Sequence, residues 1–173
     1  MRDLLKESVA AAIEKMKAHS ELVERENVDE STFRLFLLAE IKRRRPEARC
    51  QTEWHRFDLL VQIDTVSALV EIKFYITRRT RELDGRSGPY KGGASKKNKD
   101  EFWACVPKMH HNPIRGVAQK YLILIYEKTS PKHSNYSFAR SYDTLPADPR
   151  IRSVMDVPHC MADTLACKII EIA

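Results

Sequence analysis

The chain has 173 residues, 31% charged and 43% hydrophobic, which suits one folded domain with its own core rather than a disordered chain. Lysine and arginine exceed aspartate and glutamate by 30 to 24, a formal charge of +6 that admits a polyanionic partner without requiring one. There is no apolar run of about 18 residues and no signal-peptide core at Met-Arg-Asp-Leu-Leu-Lys-Glu, so a cytoplasmic protein is expected.

Leu4, Leu5, Val9, Ala12, Ile13 and Met16 recur at three- and four-residue steps and predict a helix over 2–19. A polar link, Ser20–Asn27, leads to a second helix over Glu30–Arg45, with Asp29 or Ser31 as cap and Pro46 beyond its end. On its wheel Phe33, Phe36, Leu37, Glu40, Ile41 and Arg44 fall together, so Glu40 aims inward. It serves either as partner to a helix-end arginine or as an acid beside the site described next. Lys42-Arg43-Arg44-Arg45 suits a solvated helix end that complements the dipole. A first strand is expected over Arg49–Arg56, with Glu53 and His55 on one face.

Phe57–Ile63 and Ala68–Ile76 read as the arms of a hairpin around an Asp64-Thr65-Val66-Ser67 turn. If Ile63 pairs with Ala68, Leu60 faces Glu71 and Asp58 faces Lys73. Asp58, Glu71 and Lys73 then share a face, about 5–8 Å apart at Cβ. A slip of one residue would divide them across the sheet.

Thr77–Ala94 is expected to be irregular, holding four of the five glycines. Arg78, Arg79, Arg81, Arg86 and Lys91 lie in it and Lys96, Lys97 and Lys99 follow directly, against only Glu82 and Asp84. They suit an arm that follows a phosphate backbone, with an inert basic loop as the alternative. Ser95 caps a predicted helix ending at Val106 before Pro107, and His110-His111-Asn112-Pro113 reads as a loop. Lys120–Glu127 is apolar nearly throughout, as in a strand covered on both faces. Tyr136–Tyr142 and Leu165–Ile172 are expected as strands among proline-marked loops. Cys50, Cys105, Cys160 and Cys167 lack a CxxC pair, and reduced, mostly buried thiols are expected.

Two carboxylates held close together among apolar neighbours repel each other and are stabilised by a shared divalent cation. Mg²⁺ takes oxygen ligands, lowers the pKa of a bound water and polarises a phosphate, chemistry that hydrolyses a phosphodiester. A lysine one pleat along the strand can orient that water.

In this order, Glu40 on a helix, Asp58, and then Glu71-Ile72-Lys73 in a strand, the chain resembles the PD-(D/E)xK nuclease superfamily of restriction endonucleases, repair nucleases and phage exonucleases. The resemblance spans about 30–127. Phe57 replaces the Pro of the family's name, and no QxxxY motif follows. The resemblance implies an α/β fold with a mixed central sheet flanked by helices, built on an α-β-β-β-α-β core. It implies a Mg²⁺- or Mn²⁺-dependent nuclease, with DNA as the expected substrate and a homodimer as an arrangement that suits a duplex cutter. Asp58, Glu71 and the Ile72 carbonyl would hold metal, Lys73 would serve the water, and Glu40 would match the acid some members carry on the first core helix. The rivals are an exposed ion-paired sheet face, a nucleic-acid-binding module without catalysis, and an interaction domain of a defence or phage assembly.

Overall fold

The computed structural model describes residues 1–22, 28–81, 86–111, 114–128, 136–157 and 165–173. Cys160 and its neighbour His159 lie outside them, as do Glu82, Asp84 and Gly85 and much of the expected 20–27 link. Helix α1 (Arg2–Leu22) runs past its predicted end and buries Leu5, Val9, Ala12, Ile13 and Met16, the stripe its periodicity predicts. Helix α2 (Glu30–Arg44) starts at Asp29, whose carboxylate accepts the Thr32 amide hydrogen at 2.9 Å. Strands β1 (Arg49–Trp54), β2 (Phe57–Ile63) and β3 (Val66–Tyr75) form an antiparallel meander. Helix α3 (Lys96–His110) carries the chain to β6 (Gln119–Glu127), which pairs parallel to β3. After a short helix α4 (Tyr136–Arg140), β7 (Ile151–Asp156) and β8 (Leu165–Ile172) complete a six-stranded mixed sheet of order β1-β2-β3-β6-β8-β7.

The class is therefore α/β, with the sheet between two helical layers. One core joins α1 and α2 to Leu59, Val61, Val70, Ile72, Ile123 and Ile125. The other joins α3 and α4 to Leu69, Leu122, Leu124, Tyr126 and Ile170. Strand β6 alternates between the two cores, as its near-continuous apolar run predicts. No helix among the described residues is long and apolar enough to cross a membrane.

Several expectations need correction. The hairpin turn is Asp64-Thr65 alone: Ile63 pairs with Val66 and Leu59 with Val70. Asp64 takes the left-handed bend (φ 52°), which lets Val66 and Ser67 join the ladder. The register moves by two residues, an even shift that keeps the parity of faces. Thr77–Ala94 is not wholly irregular, because β4 (Arg78–Arg81) and β5 (Ser87–Lys91) pair as a separate two-stranded ribbon. The ribbon closes at Gly92 and Gly93, both at positive φ, where a Cβ would run into the Ile76 carbonyl and the Thr77 hydroxyl. Helix α3 continues through Pro107, drawn on by the burial of Met109 in the second core. Tyr136–Tyr142 forms α4 and a turn instead of a strand, with Ala139 and Tyr142 packed into that core. Strand β7 escaped prediction: its alternation is carried by Ile151, Ser153 and Met155, a weak apolar signal on an edge.

Candidate active site at the fork between β2 and β3

The β2–β3 ladder stops at Leu59↔Val70, short of Asp58. Beyond that point the Ile72 amide donates to Asp58 Oδ2 at 2.7 Å, so a side chain takes the place of the next backbone partner. Strand β2 rotates here. Phe57 packs in the α3 core, although Leu59, two residues on, packs against α1 and α2. The strands part, and Asp58 stands in the gap.

This alters the expected cluster. Glu71 and Lys73 share the α3 face, with Lys73 Nζ 3.1 Å from Glu71 Oε1. Asp58 does not pair with Lys73. Its Oδ1 lies 3.3 Å from Arg34 on α2, which also binds Glu53. Ile72 itself is fully buried. In a strand the N–H and C=O of one residue point to the same edge, so its carbonyl also faces the fork.

Glu40 lies elsewhere. Its buried carboxylate is held by Lys15 at 2.6 Å and Arg43 at 2.9 Å, fastening α2 to α1. Hydrogen bonds from Arg43 and Lys15 depress its pKa to about 2. The acid that α2 presents to the fork is Glu30, ten residues away and some 15 Å along the helix. Desolvation, followed by the charge of Asp58, pushes the Glu30 carboxyl up to about 7. Asp58 is raised as well, first by burial, against the pull of the Ile72 amide and with a further push from Glu71.

Glu71 is 5% exposed, and its Oε2 has no hydrogen-bond partner among the described residues. Around its Oε1 gather Lys73, the Cys105 thiol at 3.7 Å and Lys108 at 3.6 Å, the last two from α3. Burial lifts the Cys105 pKa to about 11, so it stays a neutral thiol. Burial, the largest single influence, would lower the Lys73 pKa, but Glu71, Cys105 and Glu101 together outweigh it and hold the ammonium above the ordinary lysine range. Glu101 of α3 also receives the Lys73 ammonium, at 3.2 Å.

Arg34, Lys108 and Glu101 were not singled out in the sequence, and Glu30 was seen only as a helix start. Glu30 does carry a signal, since it shares a helical stripe with Phe33, Leu37 and Glu40. Among the basic residues, Arg78 lies 3.6 Å from Asp29, and Arg86, Lys96 and Lys97 are exposed while Lys99 is half-buried. The side chains of Arg79, Arg81 and Lys91 lie outside the described residues; Arg78 and Lys91 are paired across the ribbon.

Among the described residues no three His, Cys, Asp or Glu side chains are placed to hold a metal ion together as they stand. Asp58 is turned onto the Ile72 amide and Glu71 onto Lys73. The donors nevertheless suit a hard cation: three oxygen acids, two of them with pKa values raised by burial and by a neighbouring carboxylate, and one buried carboxylate oxygen without a partner among the described residues. No protein-family model matches the chain, and no curated protein or solved structure matches it either.

Proposed function

We propose that the chain is a Mg²⁺- or Mn²⁺-dependent nuclease of the PD-(D/E)xK kind that hydrolyses phosphodiester bonds in DNA. The reading is carried by Asp58, set in the strand fork beside a buried Glu71 whose second oxygen lacks a partner among the described residues. The reading is also supported by the order α2-β1-β2-β3, then the separate β4–β5 ribbon, then α3-β6 with β6 parallel to β3, which is compatible with an α-β-β-β-α-β core carrying an inserted ribbon.

Asp58, Glu71 and the Ile72 carbonyl would hold the cation, with Glu30 in the place on the first core helix that Glu40 was expected to fill. A bound cation supplies Lewis acidity toward the phosphate and a water of lowered pKa. Lys73 orients the attacking water and offsets charge on the phosphate, and its raised pKa keeps it a cation at neutral pH. Glu101 fixes the Lys73 ammonium against α3. Lys96, Lys97 and Lys99 occupy the first turn of α3, where the helix dipole disfavours cations. A polyanion lying across them relieves that conflict, which supports a nucleic-acid substrate.

The test is incubation of the purified protein with linear, circular and single-stranded DNA and with RNA, with Mg²⁺ or Mn²⁺ and with EDTA. Cleavage of DNA that is lost with EDTA and in Lys73→Ala is expected. Salt-sensitive binding without products under every condition would replace this reading with that of a binding module.

A further inference from the structure

We propose that Lys108 is a built-in competitor for the divalent cation, neutralising Glu71 in the metal-free protein and setting how tightly the cation binds; this rests on the nuclease reading above. Two ammonium groups converge on Glu71 Oε1, Lys73 at 3.1 Å and Lys108 at 3.6 Å. They differ in freedom. Lys73 is 12% exposed and boxed between Glu71 and Glu101. Lys108 is 40% exposed and holds other partners that persist without Glu71. Its Nζ donates to the Arg56 carbonyl at 3.0 Å and sits 4.4 Å from the centre of the Phe57 ring.

Lys108 is therefore the cation that gives way. Because the Lys108 ammonium lies 3.6 Å from Glu71 Oε1, a divalent ion held by Glu71 would be repelled by it, in a setting only partly screened by water. When Lys108 withdraws, the Arg56 carbonyl and the Phe57 ring still hold it at the β1–β2 turn. The half-exposed lysine thus regulates occupancy of the site without being part of the chemistry.

Mn²⁺ binding at low ionic strength, followed by calorimetry or by the loss of free Mn²⁺ electron-paramagnetic signal, tests this directly. The proteins compared are wild type, Lys108→Gln, Lys108→Met, Lys108→Arg and Glu71→Gln. Glutamine can still donate to the Arg56 carbonyl, and methionine still covers the Phe57 ring, so one neutral variant serves if the other fails to fold. The neutral variants are expected to bind Mn²⁺ about tenfold more tightly than wild type. Lys108→Arg is expected to match wild type, and Glu71→Gln to lose binding. Neutral variants that bind no more tightly than a wild type that does bind would overturn the competitor role and leave the nuclease reading standing. Mn²⁺ binding to none of them would overturn both.

Discussion

Asp58 accepts the Ile72 amide hydrogen at 2.7 Å, so one carboxylate both ends a strand ladder and stands at the proposed cation site. The two roles separate by substitution. Asp58→Asn keeps a carbonyl oxygen for the amide and loses the charge together with the part-exposed contact to Arg34. Its stability to urea is expected to stay near wild type, while cleavage falls roughly 100-fold or more. Asp58→Ala also strands the amide and should lose a further 1–3 kcal/mol or so of stability. Wild-type cleavage by Asp58→Asn would remove this residue from the mechanism.

Glu30 gives the site a pH signature. Its carboxyl is raised from the ordinary carboxylate range to about 7, so between those values the folded state holds a proton that the unfolded state has released. Stability should therefore fall as pH rises from about 4.5 through 7. Glu30→Gln is expected to gain about 1–2 kcal/mol at pH 8, after discounting for solvent screening, and nothing at pH 4.5. Urea melts of both proteins across that range measure it; parallel curves would refute it.

Glu40 predicts the opposite sign. Arg43 and Lys15 hold its carboxyl near 2, so its contribution is complete above the ordinary carboxylate pKa and is lost as pH falls through about 2. Glu40→Gln should lower stability at pH 7 by about 1–3 kcal/mol, with the difference closing in acid. Cleavage per folded molecule should stay unchanged, in contrast to Glu30→Gln. Acid-unfolding curves and active-site-normalised rates check both halves.

Lys96 and Lys97, exposed at the start of α3, are expected to contact phosphate rather than bases. Replacing either with alanine should weaken binding to all DNA sequences alike and reduce the salt dependence of log K by about one unit per lysine. Fluorescence anisotropy over a salt series measures that slope. An unchanged slope would place the DNA elsewhere.

Much of this was readable in the residues, for identifiable reasons. The apolar arms of β2 and β3 fixed the hairpin, and Glu71 and Lys73 stood out because both faces of β3 are otherwise apolar. The choice between Glu30 and Glu40 was not readable. Both lie on the inward stripe of α2, and a helical wheel carries no information about which end meets the sheet's fork. Pro107 hid Lys108, because a helix read as ending at Val106 leaves no turn to bring that lysine back to Glu71. The ribbon β4–β5 was obscured because Arg-Arg-Thr-Arg and Ser-Gly-Pro-Tyr-Lys are rich in arginine, glycine and proline and carry no apolar alternation.

The parting of β2 from β3 has a mechanical corollary. Elsewhere the sheet is a wall that keeps the two helical layers apart; at this opening, Arg34 from one layer reaches Asp58 while Lys108 from the other reaches Glu71. A ligand held in that opening would meet groups from both layers at once, so its arrival and departure would bear on α2 and α3 together, without any signal having to travel through the packed interior.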